Sequence, residues 1–281
     1  MKVNFSKYQG TGNDFIIIDN FEKKIKHNPE LAIRLCNRHY GIGSDGLIII
    51  EKSDKSDFEM IFYNPDGNQS FCGNGSRCAV KFVIDKKLIN KTSTTFVSTD
   101  GLHYGFYKNK IIEISMNEPV FLNTTSVEIN KQIIEFDFLN TGSPHLILFY
   151  KKKAEIENID VKTEGSKIRF NDEFEPKGGV NVNFVCKIDI FKIYIRTYER
   201  GVENETLSCG TGVTASALSF HSKFLDKGIK TNNIEVITKG GNLNVKFDFD
   251  ENSYKNIKLC GAADFLFSGV IEIWFLIKIV I

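Results

Sequence analysis

Two cysteines in similar glycine-rich segments are the residues of this sequence that are best suited to chemistry. Cys72 opens the segment CGNGSR (residues 72–77) and Cys209 opens CGTGVT (residues 209–214), and apolar residues at helical spacing follow each segment. Both thiols are therefore expected at helix N-termini, where free backbone N–H groups and the helix dipole favour negative charge. We expect this environment to lower the pKa of each thiol, and the same N–H groups can bind a carboxylate.

Two cysteines that face one bound molecule suit the inversion of a carbon centre. One cysteine, as the thiolate, removes a proton from the carbon, and the other, as the thiol, donates a proton to the opposite face. The backbone N–H groups of Gly73 and Asn74, and those of Gly210 and Thr211, could bind a neighbouring carboxylate as charge develops. This hypothesis requires both helix N-termini to point into one cleft.

Other uses of the two thiols fit the sequence less well. Disulfide oxidoreductases usually keep both cysteines in a short CxxC motif, which this sequence lacks. A cysteine hydrolase needs a histidine partner, and His145 could serve, but the second CGxG segment would then have no explanation. A binding protein or redox sensor that uses the thiol pair as a switch is the non-enzymatic alternative, and it predicts no proton exchange at carbon.

Composition narrows the class of protein. The 281 residues carry a net charge of +1 and are 42% hydrophobic, which allows a sizeable core and gives no electrostatic signature of nucleic-acid binding. No cluster of histidine and cysteine has the spacing of a metal site, so no metal is expected. The first residues lack the apolar core of a signal peptide and the cysteines are widely scattered, so free thiols in the cytoplasm are expected.

The motifs of the first half recur in the second half in the same order. A hairpin turn predicted at Asp100-Gly101 follows the first cysteine, much as Gly240-Gly241 follows the second. The other matching pairs are residues 11–13 (TGN) with 141–143 (TGS), residues 64–67 (NPDG) with 199–201 (ERG), and Cys72 with Cys209. This order predicts an internal duplication.

The duplication predicts an α/β (α+β) fold of two pseudo-symmetric domains. Each domain is expected to consist mostly of antiparallel strands wrapped around a central helix, with the active site in the cleft between the domains. The predicted limits are residues 1–117 for the N-terminal domain, to which a C-terminal segment 265–281 returns, and residues 118–264 for the C-terminal domain. In the first domain, Asn28-Pro29 predicts the N-cap and first position of a helix that continues to about Tyr40.

Taken together, the motifs resemble those of the diaminopimelate epimerases over about residues 3–273. Paired cysteine signatures in this wider context are highly specific. The resemblance rests on residues 7–15 (KYQGTGNDF), 38–46 (RHYGIGSDG), 63–67 (YNPDG), 72–77, 141–145 (TGSPH), 179–181 (GVN), 198–201 (YERG) and 209–212 (CGTG).

The resemblance implies a cofactor-independent isomerase that interconverts LL-2,6-diaminopimelate and meso-diaminopimelate in the cytoplasm, on the route to lysine and peptidoglycan. It implies that Cys72 and Cys209 are the acid–base pair. It also implies a small-molecule partner, with no nucleic acid and no membrane, and a homodimer. The substrate-binding residues that it implies are Asn13, Asn64, Gly73, Asn74, Ser143, His145, Asn181, Glu199, Arg200, Gly210 and Thr211.

The chemistry of these residue types fits the implied roles. Arg200 can hold the distal carboxylate of the substrate in a fork, and Glu199 can pair with an ammonium group. His145 resembles a histidine of the family's active site, which could adjust the protonation of a thiol or could only support the turn at Pro144. A racemase of another amino acid on the same scaffold is the alternative, although Arg200 argues for a distal carboxylate.

Three features depart from the family pattern. Ser143 stands where many relatives have asparagine, and Gly46 stands where others have glutamine, so these side-chain contacts are shortened or lost. After Ile273, where similar chains usually stop, the apolar residues 274–281 follow. The segment 265–281 is short and interrupted for a membrane span, and it could extend a strand of the first domain or lie against a partner.

Overall fold

The computed structural model describes residues 1–121, 124–129, 131–225, 232–250 and 253–273. The apolar tail at residues 274–281, singled out in the sequence, lies outside this part of the chain. The fold is mixed α+β with two pseudo-symmetric parts, so the predicted fold class is confirmed. Within the described residues, no helix is both long and apolar enough to cross a membrane.

The first half of the chain consists of strands with two helices inserted between them. They are β1 (Lys2–Gly10), β2 (Asn13–Asp19), α1 (Pro29–Cys36), β3 (Gly46–Glu51), β4 (Phe58–Tyr63), α2 (Gly73–Asp85), β5 (Ser93–Ser98), β6 (Gly101–Lys108) and β7 (Ile111–Ser115).

The second half begins with a short strand and ends with one that returns to the first half. Its elements are β8 (Val120–Phe121), β9 (Thr125–Ile129), β10 (Gln132–Asn140), β11 (Pro144–Tyr150), α3 (Lys153–Glu157), α4 (Val161–Arg169), a 3₁₀ turn (Glu175–Lys177), β12 (Asn181–Asp189), β13 (Lys192–Glu199), β14 (Asn204–Thr206), α5 (Gly210–Phe224), β15 (Asn233–Thr238), β16 (Gly241–Asp250), β17 (Ser253–Gly261) and β18 (Asp264–Glu272).

One pattern of strand pairing occurs twice. β1 and β2 are antiparallel, β2 and β3 parallel, β3 and β4 antiparallel, β4 and β5 parallel, and β5, β6 and β7 antiparallel. The series β10, β11, β12, β13, β15, β16 and β17 repeats these directions in the same order. The two series join where β7 pairs with its counterpart β17. The domain limits remain a prediction, which this repeat supports.

The ends of the two series are extended by further strands. β18 pairs antiparallel with β1, and β8 and β9 pair antiparallel with β10. β14 pairs with β13, next to the second cysteine segment.

Each series wraps around one central helix. In the first half, β2 is buried on both faces, since Ile17 packs in one cluster with Val80 of α2 while Ile16 packs in another with Leu31 of α1. Strands covered on both faces become continuous apolar runs, and burial of each such side chain stabilises the fold by roughly 1.5–3 kcal/mol. In the second half, α5 takes the central place and α3 and α4 lie outside.

The first helix is shorter than the sequence predicted. Its N-cap is Asn28, as expected, and Asn28 accepts a hydrogen bond from the Leu31 N–H at 2.9 Å. However, α1 ends at Cys36 and does not continue to Tyr40. Asn37 adopts an extended backbone, and its side-chain oxygen accepts from the N–H groups of His39 and Tyr40, which replaces the helical hydrogen bonds.

Candidate active site

The N-termini of the two central helices abut. Cys72 is the N-cap of α2 and Cys209 is the N-cap of α5, each with an extended backbone. The backbones approach so closely that a Cβ on Gly210 would lie 3.3 Å from the Cα of Gly73, so only glycine fits without displacement. The Asn74 amide of α2 also donates to the Ser208 carbonyl at 2.9 Å. The structure therefore brings the two cysteine segments together, as the sequence predicted.

These helix ends carry free backbone donors. Gly73 and Asn74 occupy the first two positions of α2, and Gly210 and Thr211 occupy those of α5. The first N–H groups of a helix have no acceptor within the helix. Two sets of donors thus lie beside the two thiols, where an anion would be stabilised.

The thiols themselves do not have the lowered pKa that the sequence led us to expect. Burial raises the pKa of Cys72 to about 12 and also raises the pKa of Cys209, whose side chain is only 6% exposed. The Gly75 N–H donates to the Cys72 sulfur at 3.3 Å, which favours the thiolate, but burial outweighs this contact. The expectation is wrong because it counted the helix terminus and not the loss of solvent.

Glu199 is a half-buried carboxyl that acts on both thiols. It ends β13, and its Oε2 accepts a hydrogen bond from the Thr206 hydroxyl at 2.8 Å. Burial and, to a lesser extent, the charge of Asp45 raise the pKa of Glu199 to about 7. Its negative charge in turn raises the pKa of both cysteines. No cation within the described ranges forms an ion pair with Glu199, so this carboxyl is set to receive one.

His145 lies at the centre of a buried hydrogen-bond network. The Asn183 amide nitrogen donates to the carbonyl of Leu146 at 3.0 Å and to Nδ1 of His145 at 3.1 Å. Because Nδ1 accepts, Nε2 carries the proton. Burial, together with the charge of Arg200, lowers the pKa of His145 to about 3, so the ring is neutral.

The other ring nitrogen leads to the second cysteine. Nε2 of His145 lies 2.9 Å from both the Ser143 hydroxyl and the Thr211 hydroxyl. The Thr211 hydroxyl lies 3.5 Å from the sulfur of Cys209. His145 therefore contacts Cys209 through one hydroxyl group.

Asn181 and Arg200 lie beside this network. The Asn181 amide nitrogen donates to the Pro144 carbonyl at 2.9 Å and to the Ser143 hydroxyl at 3.3 Å. Its oxygen accepts from the backbone N–H of Arg200 at 2.9 Å. Within the described residues, the Arg200 guanidinium donates only to the backbone carbonyls of Gly178 and Gly179, at 3.2 and 3.4 Å. It therefore retains donors for an anion.

Asn13 is held by charged residues that the sequence analysis did not single out. Its oxygen accepts from the Asn74 amide at 2.5 Å, and its own amide donates to Asp45 at 3.0 Å. Asp45 is in turn paired with Arg38 at 2.7 Å. Charge-assisted contacts of this kind orient a side chain firmly. The sequence did contain a signal for these contacts, because Arg38 and Asp45 both belong to the motif at residues 38–46.

Asn64 and Gly46 differ from the other candidates. Asn64 donates to Asn68 at 2.9 Å and to Ser70 at 3.0 Å, so its hydrogen bonds remain inside its own turn. At Gly46, a Cβ would lie 2.2 Å from the ring of Phe62. Phe62 thus fills the space above Gly46, and a glutamine would not fit there unless the ring moved.

Asn183 is a further residue of this site that sequence reasoning missed. Its only signal was its spacing, because Asn181 and Asn183 are two apart in a strand and so point to the same face.

Within the described residues, no group of three or more His, Cys, Asp or Glu side chains is placed to hold a metal ion.

Comparisons with known proteins agree on one family. The profile of the family described as diaminopimelate epimerase matches residues 5–122 and 138–265. The chain is 47% identical to the diaminopimelate epimerase of Flavobacterium psychrophilum, over 94% of this chain and 98% of that protein. It is 34% identical to the diaminopimelate epimerase of Aquifex aeolicus, over 95% of this chain and 97% of that protein.

Solved structures share the fold at low sequence identity. A Bacillus anthracis phenazine biosynthesis protein of the PhzF family superposes with a TM-score of 0.74 at 15% identity, over 97% of this chain and 100% of that chain. A probable proline racemase from Agrobacterium radiobacter gives a TM-score of 0.73 at 14% identity, over 98% of this chain and 94% of that chain. The profile match and the two close relatives decide the assignment: the chain belongs to the diaminopimelate epimerase family.

Proposed function

We propose that this protein interconverts LL-2,6-diaminopimelate and meso-2,6-diaminopimelate by proton transfer between the substrate α-carbon and two cysteines, Cys72 and Cys209. The observation that carries the proposal is the meeting of two helix N-termini, each capped by a cysteine. In each direction one cysteine acts as the thiolate base and the other as the thiol acid. Their protonation states exchange, so the total charge of the site is unchanged.

The substrate carboxylate next to the reacting carbon binds the free helix donors. The N–H groups of Gly73 and Asn74, and those of Gly210 and Thr211, supply these donors. When the α-proton leaves, negative charge spreads into this carboxylate. Donors that are already oriented toward it stabilise the carbanion without further rearrangement.

The substrate ammonium group pairs with Glu199. A cation beside a carboxyl whose pKa burial raises to about 7 favours its ionised form. The same cation offsets the negative charge of Glu199 at both thiols, and so lowers the thiol pKa that burial has raised. The base thus forms in the substrate complex, where it is needed.

The distal end of the substrate reaches Arg200. The Arg200 guanidinium can hold the distal carboxylate of the substrate. The Asn181 side chain fixes the backbone of Arg200 by a hydrogen bond, and Asn181 also donates to the Ser143 hydroxyl. Asn13 and Asn64, in the first half of the chain, are the other two side-chain amides that we propose bind the substrate. A racemase of a short amino acid would leave Arg200 without a carboxylate, so we favour the longer substrate.

Deuterium exchange tests this function. Incubation of the reduced protein with LL-diaminopimelate in D₂O should give meso product with deuterium at the inverted α-carbon. Cys72→Ala and Cys209→Ala should each abolish turnover, whereas Cys186→Ala, which removes a buried thiol remote from the site, should retain it. A near-normal rate in either of the first two variants would contradict the two-base mechanism.

We also propose that the protein acts in the cytoplasm as a homodimer. The unpaired state of its cysteines suits a reducing compartment.

Strand β18 exposes four large apolar side chains at 48–62%: Phe265, Leu266, Phe267 and Val270. Adjacent exposed apolar side chains favour association with a second copy. Light scattering should give twice the chain mass, and Phe267→Glu should give a monomer, while a monomeric unmodified protein would refute this interface.

A further inference from the structure

Asp45 and Arg38 lie behind Asn13, and no step of the proposed mechanism uses them. Oδ2 of Asp45 accepts a hydrogen bond from the Asn13 amide at 3.0 Å, and Oδ1 accepts one from the Arg38 guanidinium at 2.7 Å. The Asp45 backbone is also fixed, because its N–H donates to the carbonyl of Asp14 at 2.9 Å. One carboxylate therefore joins the side chain of a proposed substrate-binding residue to a cation.

Arg38 belongs to a balanced group of two cations and two carboxylates. Its guanidinium lies 2.7 Å from Oδ1 of Asp14 and 2.7 Å from Oδ1 of Asp45. Lys7, whose side chain is 5% exposed, lies 2.7 Å from Oδ2 of Asp14. Each carboxylate thus pairs with at least one cation. An ionised carboxylate accepts hydrogen bonds and donates none, so Asp45 presents only an acceptor to Asn13.

The other side of Asn13 contacts the N-terminal turn of α2. The Asn13 oxygen accepts from the Asn74 amide nitrogen at 2.5 Å, and the same nitrogen donates to the Ser208 carbonyl at 2.9 Å. The two amides therefore lie between two groups that can only accept, the carbonyl of Ser208 and the carboxylate of Asp45. This arrangement fixes both amides, since Asn74 must turn its nitrogen to Ser208 and Asn13 must turn its nitrogen to Asp45.

The Asn13 amide then has one N–H group left to donate. A side-chain amide carries two N–H donors, and Asp45 takes one of them. Among the residues that the structure describes, none accepts the second. Asn13 is half-buried, so this N–H group is accessible to a ligand. Because Asn13 contacts Asn74, whose backbone N–H belongs to the helix donors of the site, one anion can reach both donors.

We propose that Asp45, held by Arg38, is a positioning residue that turns the Asn13 amide so that its free N–H donates to the substrate carboxylate next to the reacting carbon. The inference rests on the proposed function, in which that carboxylate binds the helix donors. It adds to these backbone groups one side-chain donor of fixed direction. Asp45 does not touch the substrate and acts through Asn13.

The second half of the chain is consistent with this role. There the counterpart of Asn13 is Ser143, in the matching segments 11–13 and 141–143. The residue in the place of Asp45 is Val180, since each directly precedes the third strand of its series. A hydroxyl group rotates to suit its partners, whereas an amide has two different ends. An orienting carboxylate is therefore present only where the binding residue is an amide.

The variant Asp45→Asn tests the proposal. Arg38 takes the one remaining oxygen at position 45, so the new amide nitrogen faces the nitrogen of Asn13 and two donors oppose each other. The variant should lower kcat/KM for diaminopimelate about tenfold or more, and it should lower the melting temperature by about 2–6 °C. Asp248→Asn is the matched control, because Asp248 is an exposed carboxylate of β16 that also accepts from an asparagine amide, that of Asn256, at 2.8 Å. The control should leave kcat/KM unchanged.

Exchange of the two side chains separates positioning from structure. In the double variant Asn13→Asp/Asp45→Asn, the carboxylate at position 13 accepts from the amides on both sides, so each hydrogen bond has a donor and an acceptor again and the net charge is unchanged. The melting temperature should return to within about 2 °C of that of the unmodified protein. However, kcat/KM should stay at least about tenfold below that of the unmodified protein, because position 13 has lost its N–H donor.

A second pair of variants tests whether Asp45 acts through Asn13 alone. Asn13→Ala removes the amide that Asp45 orients. Adding Asp45→Asn to Asn13→Ala should therefore change kcat/KM by less than about twofold, although Asp45→Asn by itself has a large effect. This pair also serves if the exchange variant does not fold.

Three kinetic results would overturn the proposal. They are a kcat/KM in Asp45→Asn equal to that of the control, full recovery of kcat/KM in the exchange variant, and a further tenfold loss when Asp45→Asn is added to Asn13→Ala. If the unmodified protein forms no meso product, the proposed function fails, and the melting temperatures, which need no diaminopimelate, still test the fixed amide. Equal melting temperatures of Asp45→Asn and the exchange variant would then refute the orienting role of Asp45.

Discussion

Replacement of Glu199 by glutamine should increase stability and abolish function, and the size of the gain should depend on pH. Burial raises the pKa of Glu199 from an ordinary value of 4.5 to about 7. A carboxyl with a raised pKa binds its proton more tightly in the folded state, so stability falls as the pH rises through this window. Each unit of difference between the ordinary and the raised pKa corresponds to about 1.4 kcal/mol of folding stability. The total loss of folding stability by pH 8 is therefore up to about 3 kcal/mol.

Glu199→Gln removes this loss while keeping an oxygen for the Thr206 hydroxyl. Urea unfolding of both proteins at pH 5 and pH 8 measures the effect. The free energy of unfolding of the variant, relative to the unmodified protein, should increase by about 2–3 kcal/mol between these two pH values. In the same variant, kcat/KM for diaminopimelate should fall at least about a hundredfold, because a buried ion pair with the ammonium is lost.

Glu205→Gln is the matched control on the neighbouring strand. Glu205 is also partly desolvated, but ion pairs with Arg196 and Lys239, at 2.6 and 2.8 Å, lower its pKa. Glu205→Gln should therefore destabilise the protein by a similar amount at pH 5 and pH 8. A Glu199→Gln variant that is destabilised equally at both pH values would refute the reasoning that burial raises the pKa of this carboxyl.

Three further variants test the geometry of the site. Gly210→Ala should lower the free energy of unfolding in urea by about 1–3 kcal/mol, because its Cβ would lie 3.3 Å from the Cα of Gly73. It should also lower kcat/KM about tenfold or more, and unchanged activity would refute the need for close helix ends. Asn183→Leu removes the donor to Nδ1 of His145 and should lower kcat about tenfold with little change in KM, whereas a change in KM alone would contradict this role. Arg200→Met should raise KM for diaminopimelate about a hundredfold while Arg200→Lys gives partial recovery, and an unchanged KM would place the distal carboxylate elsewhere.

Local signals predicted the fold where one turn or one apolar run decided the structure. The N-cap at Asn28 is present, and so is the predicted hairpin, although its two-residue loop is Thr99-Asp100 and not Asp100-Gly101, since Gly101 pairs with Ser98. The C-terminal end of α1 was wrong, since the Asn37 side chain competes with the helix for backbone donors. The weakly patterned helices α3 and α4 were not predicted, because tertiary packing stabilises helices that propensity alone does not specify.

The candidate site divides in the same way. The paired motifs predicted that Cys72 and Cys209 would cap two central helices, because glycine-rich turns before apolar runs specify that geometry locally. The raised thiol pKa could not be predicted, since it depends on how much protein surrounds each sulfur. The contact of Asn183 with His145 was likewise hidden, because it joins residues that are far apart in the chain.

The seam between β7 and β17 has a consequence for the origin of this chain. Each of these strands ends its own series, and they pair antiparallel with each other. An antiparallel strand pair is what a two-fold axis generates when a strand meets an identical copy of itself. Two copies of a half-length ancestor could have assembled in this way, with one cysteine from each copy facing a shared substrate. Fusion of the two genes would then have freed each copy to change alone, which is how Asn74 came to follow Cys72 while Thr211, a contact of His145, follows Cys209.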